Sequence, residues 1–202
     1  MPRLVIVAGP NGSGKTTLVQ SGVLSRVLDV PLNSINPDDV AQELADGGRP
    51  NPAQSLRAAQ LCDARLDAEI AAGHAVMVET VLSSDKFKSR VDAARDGGFD
   101  IVFVYVTVRY ADLNVARVRL RTDLGGHDVP EDRIIGRRER SHAMFAWFAG
   151  AADTVFVFDN SSSVPVVTAC KHLGKWTIAA PGRLPADLAL TIRRLARTRR
   201  KA

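Results

Sequence analysis

The chain has 202 residues, 46% of them hydrophobic and 24% charged, which fits one globular domain with a substantial core and excludes a disordered chain. Its formal charge of +5 gathers at the end, where Arg193, Arg194, Arg197, Arg199, Arg200 and Lys201 stand without an anion and the remainder is close to neutral, so residues 193–202 read as a solvated basic tail and nucleic acid is not the expected partner. Only five apolar residues precede the first glycine cluster, too few for a secretory signal, and no apolar run approaches the roughly 20 residues of a membrane span, so a soluble cytoplasmic chain with no membrane partner is expected.

Leu4 to Ala8 are apolar without alternation, as in a parallel strand covered on both faces. Gly9-Pro10-Asn11-Gly12-Ser13-Gly14-Lys15-Thr16-Thr17 follows and leads into a helix. Strand, glycine loop and helix in this order form a phosphate-binding loop. Gly9, Gly12 and Gly14 allow positive φ and bring backbone N–H groups close to phosphate oxygens. The helix opening near Lys15 adds further N–H donors and the positive end of its dipole. Lys15 is expected to reach the β- and γ-phosphates and Thr16 to ligate Mg²⁺, which makes ATP the expected nucleotide.

Beyond the first helix, Pro31 to Asn36 reads as a short second strand with Pro37-Asp38-Asp39 as its exit, then a helix near Asp39 to Ala45 stopped by Gly47-Gly48. Asn51-Pro52 opens a long helix to about Ala72. On it Cys62 falls in line with Leu56, Ala59, Leu66 and Ile70 and reads as a core thiol; with Cys170 it forms neither a zinc nor a disulfide pattern. Ala75 to Leu82 is a third strand interrupted by Glu79. Phe87, Val91 and Ala94 mark a helix face, and Phe99 to Val108 is the most strand-like run in the chain. A helix from about Ala111 carries Arg117, Arg119 and Arg121. Gly125-Gly126-His127 then breaks the pattern, and Pro130 opens a helix to about Phe148. Thr154 to Phe158 is a fifth strand ending in Asp159-Asn160. Val164 to Ala180 reads as a hairpin around Gly174, and Leu184, Leu188, Ile192 and Leu195 mark a last amphipathic helix. Without repeat or linker, residues 1–202 form one α/β domain: a parallel sheet with helices on both faces plus the C-terminal hairpin and helix.

Ligands of such sheets lie beyond the carboxyl ends of the strands, which selects Lys15 with Thr16, Asp38, Glu79 with Thr80, and Asp159 with Asn160. Asp38 is the candidate base that takes the acceptor hydroxyl's proton, with Asp39 as its competitor at the helix start. Glu79 stands where it would hold Mg²⁺, through water, or the acceptor, unless it is a structural partner of Thr80 or the loop. Arg133, Arg137 and Arg140 share one helix stripe, which is either a solvated face or, after a Gly-Gly hinge, one that closes over the triphosphate. Arg137 and Arg140 are the catalytic candidates of that stripe.

These motifs resemble the zeta toxin family. The likeness lies in Gly-Pro-Asn-Gly-Ser-Gly-Lys-Thr-Thr, Asn36-Pro37-Asp38, Val78-Glu79-Thr80, Gly126-His127-Asp128-Val129-Pro130 with Arg137-x-x-Arg140-Ser141, and Phe158-Asp159-Asn160-Ser161, in order over roughly residues 1 to 180. The resemblance implies a P-loop kinase fold and ATP-dependent phosphorylation of UDP-N-acetylglucosamine at the 3′-hydroxyl of its amino sugar. It implies ATP and Mg²⁺ binding by Lys15 and Thr16, Asp38 as catalytic base, Glu79 as the acidic substrate-side residue, and Arg137 and Arg140 as phosphate-contacting arginines. It leaves room for a separate antitoxin chain as partner. The rival readings are a kinase for another hydroxyl acceptor, such as an antibiotic, and a P-loop ATPase or nucleotide-dependent switch that transfers no phosphate.

Overall fold

A computed structural model describes residues 1–28, 33–124 and 129–198. Pro31 and Leu32 of the expected second strand, Gly125 to Asp128 with the expected hinge, and Arg199 to Ala202 of the basic tail lie outside the described residues. Strands β1 (Arg3–Ala8), β2 (Asn33–Ile35), β3 (Val76–Thr80), β4 (Asp100–Thr107), β5 (Thr154–Asp159), β6 (Val166–His172) and β7 (Lys175–Ile178) form one sheet in the order β2-β3-β1-β4-β5-β6-β7. β2 to β5 are parallel, and β6 and β7 append an antiparallel hairpin to the β5 edge. The chain leaves β1 for one side of the sheet and later returns to the other, so the strand order reverses at β1, where ligands of open α/β sheets bind.

β1 is central because both its faces are apolar. Leu4, Ile6 and Ala8 join the core under α4 (Pro52–Ala71), α5 (Lys88–Asp96), α7 (Glu131–Ala151) and α8 (Ala186–Thr198). Val5 and Val7 join the opposite core, under α1 (Lys15–Gln20) and α2 (Val23–Leu28). α3 (Pro37–Leu44) and α6 (Ala111–Asp123) are the other α-helices among the described residues, and Val115 and Val118 of α6 pack on Val129 and on Ile134 of α7.

Three sequence expectations shift in detail. The first helix is two, turning at Ser21 and Gly22, where the Ser21 hydroxyl donates to the Leu18 carbonyl at 2.7 Å. β3 stops at Thr80 and not Leu82, because the Thr80 hydroxyl accepts the Leu82 N–H at 3.1 Å and Leu82 turns to φ 56°. On α4 the buried line is Ala58, Cys62, Leu66 and Ile70, an unbroken i, i+4 row; Leu56 is 62% exposed and belongs to the solvent side. No helix among the described residues is long and apolar enough to cross a membrane.

Candidate active site

The phosphate loop joins β1 to α1 at the carboxyl edge of the sheet. Its curvature follows from left-handed glycines: Gly12 has φ 70° and Gly14 φ 88°. Space requires them as well. A Cβ on Gly12 would lie 2.4 Å from the Asn114 carbonyl oxygen, and one on Gly14 would lie 2.1 Å from Asn160 Nδ2. Lys15 folds back over the loop, its ammonium donating to the carbonyls of Gly9 at 2.8 Å and Pro10 at 3.1 Å. Burial lowers its pKa to about 8 against the pull of Glu79 and Asp38, and Arg121 pushes in the same direction as burial. Within the loop, Asn11 Oδ1 and Ser13 Oγ are buried without a hydrogen-bond partner among the described residues, a costly state for polar atoms in a finished interior.

Two strand ends meet the loop on one side. Thr16 Oγ1 donates to Glu79 Oε2 at 2.8 Å, and Asn36 Nδ2 donates to Glu79 Oε1 at 3.2 Å. Glu79 is 5% exposed, and burial raises its pKa against the Thr16 hydrogen bond and the Lys15 charge. The pair of hard oxygen donors, Thr16 hydroxyl and Glu79 carboxylate, fits a small divalent cation completed by phosphate and water oxygens. Asn36 does double duty, since its Oδ1 accepts the Asp38 N–H at 3.0 Å and caps α3. With Pro37 in the first turn, α3 therefore starts at Pro37, two residues before the expected Asp39.

Asp38 thus sits in the first turn of α3, its side chain 69% exposed and 3.5 Å from Arg121 Nη1. Asp39 is also exposed; partial burial, then Asp38 and Glu43, raise its carboxyl. Thr80 closes the turn after β3 with its hydroxyl, and its carbonyl accepts the Gly9 N–H at 3.2 Å. Thr17 is exposed on the first turn of α1.

The positive groups brought to the loop come from α6. Arg117 Nη1 lies 4.0 Å from the position of a Gly14 Cβ, and Arg121, one turn on, reaches Asp38. On α7, Arg137 is half-buried and Arg140 exposed, and neither has a hydrogen bond or ion pair among the described residues. The α7 face turned inward carries Ile134, Arg138, Ser141, His142 and Phe145 instead.

Two participants, Asn114 and Arg138, escaped sequence reasoning, and a third, Asn160, does more than the sequence indicates. Asn114 of α6 donates through Nδ2 to the Asn11 carbonyl at 2.7 Å, and buried Arg138 donates to Asn114 Oδ1 at 2.8 Å and to the Arg109 carbonyl at 3.2 Å. Asn160 Nδ2 donates to the Ser13 carbonyl at 2.9 Å; its position after β5 was expected at the site, but not its grip on the loop. Asp159 is committed to Arg183 at 2.8 Å and to the Ser161 hydroxyl and N–H, which makes it structural.

A cavity of about 440 Å³ lies at the other edge of the sheet, lined among others by Arg3, Asp100, Asp153 and Lys171. Two of its lining cations are matched: Arg3 pairs with Asp100 at 2.9 Å, and Lys171 donates to the last carbonyls of α7, 2.7 Å from that of Ala149. None of its lining residues belongs to the phosphate loop.

A phosphate loop at the switch point of a largely parallel sheet, covered by helices on both faces, is the fold of the P-loop kinases. The chain belongs to the AAA domain family AAA_33, which matches residues 4–142. An uncharacterised protein of Haemophilus influenzae is 27% identical over 136 residues, covering 65% of this chain and 89% of its own. Among solved structures, the complex of AvrRxo1-ORF1 and AvrRxo1-ORF2 with ATP superposes with a TM-score of 0.70 at 16% identity, covering 90% of this chain and 62% of that one. A structure of the PezAT chromosomal toxin–antitoxin system of Streptococcus pneumoniae gives 0.62 at 13% identity, covering 96% and 78%. A chain of the Pnkp1/Rnl/Hen1 RNA repair complex gives 0.57 at 18% identity, covering 82% and 48%. The present chain thus spans about three fifths of the AvrRxo1 complex chain and about half of the RNA repair chain.

Proposed function

We propose that this protein is a Mg²⁺·ATP-dependent small-molecule kinase of the zeta toxin type, with the hydroxyl of a nucleotide sugar, UDP-N-acetylglucosamine first, as acceptor. The observation that carries the reading is the Thr16–Glu79 pair beside the phosphate loop, with Asp38 and Arg121 paired on the exposed side. Asn11 Oδ1 and Ser13 Oγ, buried and unpartnered, are polar atoms that a phosphate chain and its waters would satisfy. The similarity to structures determined as toxin–antitoxin assemblies and with ATP supports the same reading, and with it a separate antitoxin chain as partner.

In this mechanism the loop N–H groups and Lys15 hold the triphosphate, and Thr16 and Glu79 would hold the metal ion. Held there, a divalent ion would supply neutralisation of the phosphate charge. Asp38 accepts the acceptor hydroxyl's proton as its oxygen attacks the γ-phosphorus, and ADP leaves. Its exposure suits that task, since the acceptor must reach it. Arg121 and Arg117 face the phosphate loop from α6, with Arg137 and Arg140 as the contribution proposed for α7. A kinase for another hydroxyl acceptor would share every element except the acceptor's identity.

Asp38→Asn separates this from nucleotide hydrolysis without transfer. The substitution keeps shape and removes the proton acceptor, so single-turnover transfer to UDP-N-acetylglucosamine should fall about 10²–10⁴-fold while ATP affinity holds. Asp39→Asn should transfer normally. If both variants transfer at the wild-type rate, Asp38 is not the base. A wild type that turns over ATP but phosphorylates nothing in a pool of nucleotide sugars and hydroxylated antibiotics would sink the kinase reading.

A further inference from the structure

The phosphate loop is held from outside by two asparagines contributed by distant elements. The amide of Asn114 has one possible orientation: a guanidinium only donates, so Oδ1 must face Arg138 and Nδ2 must face the Asn11 carbonyl. Asn160 Nδ2 grips the Ser13 carbonyl from the other side. In a trans peptide the carbonyl and the following N–H point in opposite directions. Fixing the Asn11 carbonyl outward therefore turns the Gly12 N–H inward, and fixing the Ser13 carbonyl does the same for Gly14. The asparagines are also packed where Cβ atoms would stand on Gly12 and Gly14, so the peptides they hold have glycine's freedom to flip and little room to do so.

We propose that Asn114 and Asn160 are positioning residues that set the phosphate-facing orientation of the Gly12 and Gly14 amides, with Arg138 as the buttress that fixes Asn114. The inference rests on the nucleotide-binding reading above. It assigns a role in that site to α7 through Arg138, a residue 7% exposed that is itself shielded from solvent. It also assigns a role to the stretch after residue 142, since Asn160 lies beyond the matched family region.

The test replaces each amide by a carboxylate of equal size. Asn114→Asp replaces the donor to Asn11 with a carboxylate oxygen that can only repel that carbonyl, while offering Arg138 an ion pair in compensation, so phosphate binding should suffer where the fold holds. Asn160→Asp removes the donor to Ser13 independently and carries the test if the first variant fails to fold. Isothermal titration with ATP should show affinity lower by roughly tenfold or more in each, the loss of about one well-made hydrogen bond to the ligand. Amide NMR should show a divided signature: in Asn114→Asp the Gly12 resonance loses most of its ATP-induced shift while Gly14 keeps its own, and in Asn160→Asp the reverse. A loop that was merely less stable would move both resonances together. Wild-type ATP affinity and wild-type Gly12 and Gly14 shifts in both folded variants would overturn this inference alone. A wild type that bound no ATP would overturn the nucleotide reading, and this inference with it.

Discussion

Glu79 concentrates the site's electrostatics at the scale of one residue. A buried carboxylate with two hydrogen bonds and a lysine nearby is still held above its ordinary pKa, because desolvation outweighs those favourable contacts. A divalent cation beside Thr16 would reverse that balance. Glu79→Gln keeps the volume and an acceptor for Thr16 but removes the charge. The affinity for ATP without metal should change little, whereas the gain in affinity on adding Mg²⁺ should fall about ten- to a hundredfold. Paired titrations of ATP with and without Mg²⁺ measure it. An unchanged Mg²⁺ dependence would mean that Glu79 serves only to anchor Thr16 and Asn36.

At the scale of elements, the contrast lies between α6 and α7. Each presents an arginine pair, Arg117 with Arg121 and Arg137 with Arg140, and each pair suits a helix face. Among the described residues it is the α6 pair that reaches the loop and Asp38, because α7 spends its inward face on Ile134, Phe145 and the buried Arg138. Arg121→Ala should therefore lower turnover by about 10²–10³ with a smaller loss of ATP affinity, and Arg140→Ala should cost less. Steady-state kinetics on both variants decide between the helices, and a normal rate for Arg121→Ala would hand the role to α7. The same contrast shows what the sequence made legible. The strand–loop–helix order, the order of elements and the acidic exit of β2 followed from local pattern. The bonds by which Asn114 and Asn160 hold the loop did not, because their partners Asn11 and Ser13 lie 103 and 147 residues away. An asparagine in a helix or after a strand carries no local mark of which carbonyl it will hold. Periodicity also misassigned Leu56, which lies about 200° around the helix from Ala58, since a 20-residue helix offers several overlapping apolar rows.

At the scale of the whole molecule, the C-terminal third is part of the working core. Leu184, Leu188 and Ile192 share the cluster that contains Leu4 and Ile6, and Arg183 ties the turn before α8 to Asp159 at the end of β5. α8 is fastened to α7 by Asp187, whose carboxyl meets His142 Nδ1 at 2.6 Å, one turn beyond Arg138. The His142 hydrogen bond, more than any other cause, holds the Asp187 pKa below its usual value against partial burial. A carboxyl lowered in the folded state contributes stability that is complete above its unfolded pKa, about 3.9, and disappears as pH falls through the lowered value. With the Asp187 side chain 59% exposed, solvent screening limits the contribution to about 0.5–1 kcal/mol. Asp187→Asn retains an acceptor but no charge, so it should be less stable than wild type by that amount at pH 7. Urea unfolding at intervals from pH 7 to pH 3 should show the gap hold down to about pH 5 and then close. A gap that stays constant to pH 3 would show that Asp187 fastens α8 by shape and hydrogen bonding alone. The joint between α8 and α7 would then be insensitive to acid.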